Sequence, residues 1–473
     1  MQKRLKKTKI LCTIGPSSRS QEVLREMIKA GMDVARVNFS HGNSEEHIEV
    51  MGRLRRLSRA LGRPVAIMQD LGGPKIRVGE VRPEPVFLKK GDTVTIVSKK
   101  IIGNSHSLSV NYPWLPQKVK PGASILINDG AIRLRAISSS KKEMRCRVLQ
   151  GGLLSSHKGV NLPDTRLDIE ALTEKDKRDI LLGLKEGVDI IALSFVRNAR
   201  DIQKARGFIS SRGGDVPIIA KIERRQALEN LEEIMEEADG VMVARGDLGV
   251  ETELEEVPLL QKRIIRACNL LGKPVITATQ MLESMIKSPS PTRAEATDVA
   301  NAVLDGTDAL MLSGETAVGS YPVESLEAMV RIAYKMEGTV ELGRLLKDEL
   351  IREDTISDAV THGACQAAID LQAAAIIACT RSGKTARLVA RYRPPCPIIA
   401  ATPFQKVVNQ LCLTWGVYPV RMKEVRDTDE MIKEAEKVAL SIGLVKKGDK
   451  VVVTARHPFT QRGVTNLMKA HVI

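Results

Sequence analysis

From residue 8 to about residue 336, short apolar runs alternate with longer stretches in which apolar residues recur three or four positions apart. A strand period followed by a helical period, repeated along the chain, predicts βα units. Strands are expected at Lys9–Ile14, Val34–Phe39, Val65–Asp70, Asp189–Phe195, Val216–Ile222, Gly240–Ala244, Pro274–Ala278 and Ala309–Leu312. Helices are expected at Gln21–Ala30, Glu45–Ala60, Glu174–Glu186, Arg225–Ala238, Val257–Leu271 and Arg293–Leu304. A further helix follows Tyr321, where Pro322 suits a helix start. Eight strands, each with its helix, read as α/β and as a (β/α)8 TIM barrel. An open doubly wound sheet is the alternative, and eight regular units favour the barrel.

One connection breaks the rhythm. The third strand ends at Asp70, and the next helix waits until about Thr173. Between them FLKKGDTVTIVS, SILINDGAIRLRAIS and EMRCRVLQGG alternate, with turns at Lys90-Gly91, Pro121-Gly122 and Asp129-Gly130. A small β-barrel lid domain, residues 71–169, is therefore expected after strand three of a catalytic barrel made by 1–70 and 170–338. In such barrels the C-terminal side carries the active site, and a domain inserted there can close over it.

After about Met336 the pattern restarts, with strands at Ala374–Cys379, Pro397–Ala401, Val417–Val420, Lys450–Val453 and near Lys469–Ile473. Helices at Ile356–Leu371, Thr385–Tyr392, Phe404–Thr414 and Thr428–Ile442 separate them. This reads as a separate C-terminal α/β domain, 339–473, without carboxylate-rich strand ends and so suited to regulation or assembly.

The barrel's strand ends are polar, and in a barrel they converge on one mouth. They supply Arg36, Asn38, Ser40 and His41 after strand two, Asp70 after three, Ser194 after four, and Lys221 with Glu223 after five. Arg245 and Asp247, then Thr279, then Ser313 with Glu315 complete the set. In Ala220–Glu223 (AKIE) the spacing points Lys221 and Glu223 to one side of a strand. In Ala244–Glu251 (ARGDLGVE), Arg245 and Asp247 repeat that spacing between glycines that admit a ligand to the backbone. Either pair alone could be a structural salt bridge. Together they suit Mg²⁺ or Mn²⁺ with an anionic ligand, while Lys221 and Arg36 neutralise a transferring phosphoryl group.

Composition changes this picture little. Hydrophobic residues at 43% and charged ones at 27% are ordinary for a soluble protein. A formal charge of +15 invites a nucleic-acid-binding reading, with steeply salt-dependent DNA binding as its mark. Yet the basic residues are spread along the chain outside MQKRLKKTK, and interleaved aromatics are missing. Small phosphorylated anions fit such a surface as well. Seven scattered cysteines without a CxxC pair argue against a zinc site or a disulfide framework and for a reducing compartment. The basic N-terminus leads into KILCTIG with no secretory signal, and no apolar stretch approaches membrane-spanning length. A cytoplasmic protein with no membrane and no nucleic-acid partner is expected.

Gly383-Lys384-Thr385 ends like a P-loop, but the required earlier glycine falls at Ala378 and the motif fails. Thr380–Thr385 (TRSGKT) still joins a strand to a helix N-terminus, where backbone N–H groups and hydroxyls can bind phosphate.

The segments VARVNFSHG (34–42), KGVNLPD (158–164), AKIE (220–223), MVARGDLGVE (242–251), TATQMLESM (277–285) and PTRAEATDVANAVLDGTDALMLSGETAVGSYP (291–322) resemble pyruvate kinase. The likeness covers essentially the whole chain, lid and C-terminal domain included. It implies phosphoryl transfer from phosphoenolpyruvate to ADP, giving pyruvate and ATP, as in glycolysis. By that resemblance Glu223 and Asp247 ligate the divalent cation, Arg36 binds the transferring phosphoryl group, and Lys221 stabilises the pentavalent transition state and the enolate. Gly246, Asp247 and Thr279 hold the substrate, Thr279 near the face where the enolate is protonated. Asn38, Phe39, Ser40, His41, Arg77 and Lys158 match nucleotide-side positions. Thr380, Arg381, Ser382, Gly383, Lys384 and Thr385 match the loop where relatives bind a sugar-phosphate effector. Thr454–Asn466 matches the loop that covers it only at Gly463–Asn466. Fructose 1,6-bisphosphate, ribose 5-phosphate and AMP are the candidate effectors, and a homotetramer is a further implication.

One departure bears on cofactors. Many members need K⁺, and the monovalent-cation positions Asn38, Ser40, Asp70 and the Leu71 carbonyl are matched here. Where the family has DTKGPEIR, however, this chain reads Asp70-Leu-Gly-Gly-Pro-Lys75-Ile-Arg77. Exchanging an anion for an ammonium shifts the local charge by two units and would repel K⁺. The expectation is that Lys75 fills this site and K⁺ is not required; the alternative is a Lys75 in solvent with K⁺ still bound. A metal-dependent aldolase or lyase would also explain the metal and Lys221, but not the lid with its Lys158, nor Arg77.

Overall fold

The computed structural model describes residues 6–167, 169–339, 355–458 and 463–473. Eight parallel strands form a closed barrel: β1 (Lys9–Ile14), β2 (Val34–Asn38), β3 (Ala66–Asp70), β4 (Ile190–Leu193), β5 (Ile218–Ile222), β6 (Gly240–Ala244), β7 (Val275–Ala278) and β8 (Ala309–Leu312). Each pairs with its chain neighbours, and β8 closes on β1 with Lys9 beside Ala309. Their residues are buried on both faces, which is why the runs are apolar without alternation. One face packs on the helices through residues such as Ile10, Ile67 and Val243. The other fills the barrel with Leu11, Met68, Ile190, Met242 and Met311, joined by Cys412 and Leu413 of the C-terminal part. The helix starts follow from local chemistry: Ser20 accepts from the Val23 N–H, and Asn43–Glu46, Thr173–Asp176 and Thr292–Glu295 form reciprocal capping boxes.

Between β3 and β4 stands a six-stranded sheet in the order Val160–Asn161, Ser124–Ile127, Ile132–Ser139, Glu143–Gln150, Thr93–Val97, Ser107–Ser109. A ribbon of Val86–Leu88 and Gly152–Leu154 shares its core, built on Val94, Leu134 and Met144. The expected turns are present, with Gly91 at φ 92°, Gly122 at φ 90° and Gly130 at φ 84°. A short helix, Leu115–Lys118, interrupts this otherwise all-β insertion.

In the C-terminal part, strands Val417–Arg421, Ile398–Thr402, Ala375–Cys379, Lys450–Ala455 and Leu467–Val472 form one sheet in that order, the last antiparallel. It is joined to the base of the barrel by buried polar contacts. Arg393 reaches Asp308 at 3.1 Å and Asn269 at 2.8 Å, and the Lys9 ammonium donates to the Val417 carbonyl at 2.6 Å.

Further elements differ from expectation. The stretch Arg225–Ala238 is two helices, Arg225–Glu229 and Leu231–Glu237, broken where the Asn230 side chain donates to the Arg197 carbonyl at 2.9 Å. Phe404–Thr414 divides into helix Gln405–Gln410 and a 3₁₀ turn, Leu411–Leu413. A helix at Ala199–Ser211, between β4 and β5, was not named by the sequence reading. Part of the covering loop, 459–462, and the start of the C-terminal region, 340–354, lie outside the described residues.

Candidate active site

The mouth is built around two buried carboxylates and two cations that alternate. The Lys221 ammonium lies 2.9 Å from Glu223 Oε1 and 3.2 Å from Asp70 Oδ1, and donates to Ser194 Oγ at 2.7 Å. On the far oxygen of Asp70, Arg36 places Nε and Nη2, each at 2.6 Å, while its Nη1 reaches Thr13 Oγ1 at 2.9 Å. Asp70 and Glu223 are each 1% exposed, so either charge alone would be costly to bury. Burial drives the Lys221 pKa down, but Asp70 and Glu223 outweigh it and push it up to about 12. Burial likewise works to raise Asp70, yet Lys221 and Arg36 hold it below the usual carboxylate range. Glu223 goes the other way, raised by burial and by the charge of Asp247 against the pull of Lys221.

Asp247 faces this cluster from a different element. β6 ends at Ala244, and Arg245–Glu251 is a helix. Residues two apart on a helix point away from one another, so Arg245 and Asp247 do not share a side as a strand spacing would place them. Arg245 turns from the mouth to Asp298 Oδ1 at 2.8 Å and to the Thr279 carbonyl at 2.7 Å. That clamp has a use. Thr279 sits at φ 70° and Gln280 at φ 55°, a conformation unfavourable to a β-branched residue and held by its surroundings. The Thr279 hydroxyl accepts from the Gly246 N–H at 2.8 Å, and a Cβ on Gly246 would come within 3.4 Å of it. Gly246 and Thr279 are thus one unit, with Asp247 next in the chain.

Lys75 comes from the start of the lid. Its ammonium lies 3.1 Å from Asp247 Oδ1 and 5.9 Å from the Phe195 ring. It is neither in open solvent nor bonded to the expected monovalent-cation positions. Asn38 Oδ1 instead accepts from the Ser40 N–H at 3.1 Å, and both Asp70 oxygens are taken by Arg36 and Lys221. The Leu71 carbonyl accepts from Ser194 Oγ at 2.7 Å. The expectation that Lys75 occupies this site is corrected in position, because the carboxylate within its reach is Asp247.

The loop after β2 is held from below. The Lys175 ammonium donates to the Phe39 carbonyl at 2.6 Å, and Phe39 stacks on His47 at 4.2 Å. Partial burial and the charges of Arg77, Arg36 and Lys75 lower the pKa of His41, which brings the lid's Arg77 into the field of this loop. Arg77 donates to the His157 carbonyl at 3.0 Å, and Lys158 follows His157, just before the Gly159 that bridges to Arg77. The inserted segment also touches the barrel where Asn161 donates to Glu251 at 3.1 Å.

Glu315 is structural, its carboxylate accepting from the Leu282 and Ser313 N–H groups at 3.0 and 2.7 Å, while the Ser313 hydroxyl is buried without a hydrogen-bond partner among the described residues. Sequence reasoning missed Phe195, Lys175 and the Asn161–Glu251 contact. An aromatic at a strand end reads as core, and long-range polar pairs leave no local signal.

In the C-terminal part the loop Thr380–Thr385 leads into helix Lys384–Arg391. Thr380 Oγ1 accepts from the Gly383 N–H at 2.9 Å, and the Thr385 hydroxyl meets that of Thr465 at 2.8 Å. Arg381 lies 3.2 Å from Glu424 and on the Phe404 ring, Ser382 and Lys384 are exposed, and Gly383 has φ 83°.

A closed parallel barrel whose C-terminal mouth joins hard oxygen donors to fixed cations defines an enzyme for anionic, metal-associated substrates. Two family models cover the chain: pyruvate kinase, barrel domain, matches residues 5–326, and pyruvate kinase, alpha/beta domain, matches 358–471. The pyruvate kinase of Geobacillus stearothermophilus is 48% identical over 99% of this chain and 80% of its own length. That of Clostridium acetobutylicum is 44% identical over 99% of this chain and 100% of its own. A crystal structure of a pyruvate kinase from Cryptosporidium parvum superposes with a TM-score of 0.94 at 38% identity, covering 99% of this chain and 96% of that one. The chain belongs to the pyruvate kinase family and is a phosphotransferase. Membership implies phosphoenolpyruvate and ADP as substrates and dependence on a divalent metal.

Proposed function

We propose that the mouth transfers the phosphoryl group of phosphoenolpyruvate to ADP with Mg²⁺ or Mn²⁺ on Glu223 and Asp247. The donor set fits: both side chains offer hard oxygens, and burial, with the charge of Asp247 adding to it, raises the pKa of Glu223. When bound, the metal would neutralise charge on substrate oxygens. The observation that carries the reading is Lys221, held protonated between Asp70 and Glu223. Such a fixed ammonium, already desolvated and aimed, stabilises charge as it develops on the enolate oxygen and the moving phosphoryl group. Arg36, locked on Asp70, binds the phosphoryl oxygens beside it. Gly246, Asp247 and Thr279 seat the carboxylate end, with Thr279 at the face where the enolate gains its proton. Asn38, Phe39, Ser40, His41, Arg77 and Lys158 form the nucleotide side. Residues 71–169 act as a lid on the catalytic unit 1–70 and 170–338. Its closure excludes water that would compete as acceptor.

Activity without K⁺ follows from the charge pattern. Asp70, the carboxylate that would balance K⁺, is already paired twice, and Lys75 adds a positive charge near the mouth. The C-terminal unit, 339–473, binds a phosphorylated effector, a sugar phosphate or AMP, at Thr380–Thr385, and the assembly is a homotetramer. Pyruvate formation with Mg²⁺ is expected in K⁺-free buffer. Stimulation of about tenfold or more by KCl over tetramethylammonium chloride, the response expected of a vacant cation requirement, would overturn K⁺ independence. No turnover in either salt would overturn the kinase reading.

A further inference from the structure

β4 stops at Leu193, and Phe195, two residues on, adopts φ 57°. A bulky side chain rarely takes this left-handed conformation, and it persists where the surroundings impose it. Three contacts impose it here. The Phe195 N–H donates to Glu223 Oε2 at 2.7 Å, which leaves Oε1 to Lys221. The ring, on a residue 5% exposed, lies 4.9 Å from the Arg224 guanidinium and 5.9 Å from the Lys75 ammonium. Gly73, at φ 63° in the segment that leads to Lys75, packs so closely that a Cβ there would fall 2.9 Å from the ring's Cδ2.

We propose that Phe195 is a positioning residue with two separable parts, a backbone N–H that aims Glu223 and a ring that seats Lys75 beside Asp247. This rests on the metal-binding role of Glu223 and the charge role of Lys75 proposed above. The N–H fixes one carboxylate oxygen, so the rotation of Glu223 is set before any ligand arrives. Outer partners of this kind typically govern metal affinity by about 10–100-fold. The ring gives an ammonium a preferred place on an apolar floor. It also obliges the neighbouring glycine segment to follow its contour, so the lid's first residues and the Glu223 carboxylate share one support.

Substitutions separate the two parts. Phe195→Gly adopts φ 57° freely and keeps the N–H in place but removes the ring. Phe195→Val keeps apolar volume, but branching at Cβ opposes positive φ and swings the N–H away. Mn²⁺ binding, read directly by the loss of the free-ion electron paramagnetic resonance signal, should weaken about tenfold or more in Phe195→Val. In Phe195→Gly it should stay within about threefold of the parent. Phe195→Gly should instead lose about fivefold in activity with its Mn²⁺ affinity kept, while Phe195→Tyr, which keeps both parts, stays near the parent. Equal Mn²⁺ affinity in Phe195→Val and the parent would remove the backbone part. A fully active Phe195→Gly enzyme would remove the ring part. Failure of the underlying reading looks different: Glu223→Gln would leave Mn²⁺ binding intact, or the unsubstituted enzyme would itself need K⁺.

Discussion

The barrel mouth and the loop Thr380–Thr385 occupy equivalent places, each just past a parallel strand of an α/β sheet, yet they are made of different materials. In the mouth, buried Asp70, Lys221 and Glu223 and half-buried Arg36 alternate in sign. In the loop, hydroxyls and backbone N–H groups dominate, and the charged Lys384 stands in solvent. A buried charge array is expensive to assemble, and once assembled it needs no rearrangement when charge moves. An exposed loop with neutral donors costs little and is screened by salt, which suits a ligand that must come and go. The contrast agrees with the roles proposed for the two places, transition-state stabilisation in the mouth and reversible binding at the loop.

The harshest test of that contrast is Lys221→Met. It removes the shared ammonium and leaves Asp70 and Glu223 facing each other with Arg36 as the remaining cation. Steady-state kcat should fall by about 10³-fold or more, as when a preorganised donor to a developing charge is lost. A loss under about tenfold would mean that the mouth's charge array is structural.

A gentler test uses protons. Burial and the charge of Asp247 raise the Glu223 pKa, so protons compete with a divalent cation for this carboxylate at higher pH than for an ordinary one. Metal activation should therefore weaken as pH falls through the raised pKa and be complete above it. The kinetic activation constant for Mn²⁺ against pH would show this. Asp247→Asn removes one of the raising charges, so the acid limb should move to lower pH even as metal affinity drops. An unmoved limb would assign it to another group. Lys221, pushed up to about 12, contributes no alkaline limb in the working range.

How much of this was legible depends on whether a signal was local. The eight strands and the AKIE pair were legible because a buried strand fixes both hydrophobicity and the side to which alternate residues point. Arg245 was misplaced because the same spacing means opposite sides once a helix begins at that residue. Phe195 and Thr279 were opaque in another way. Their left-handed conformations are imposed by Glu223, Gly73 and Arg245, which are distant in sequence. Lys75 was noticed as an exchange of charge, but its direction toward Asp247 needed three dimensions.

The smallest expected effect lies in the C-terminal loop. Ser382 is exposed at the turn before helix Lys384–Arg391, and its carbonyl accepts from Arg387 at 3.2 Å. Ser382→Asp sets a carboxylate where a phosphate would approach backbone donors, so the anion meets like charge. The half-saturating phosphoenolpyruvate concentration should then stop responding to ribose 5-phosphate, fructose 1,6-bisphosphate and AMP. The effector-free rate should change by less than about twofold, because an exposed charge this far from the mouth is screened by salt. A large fall in that rate would erase the division between the two regions, since the loop would then support the mouth even without a ligand. An unaltered response to every effector would place phosphate recognition elsewhere, leaving the loop's hydroxyls as ordinary caps of a helix.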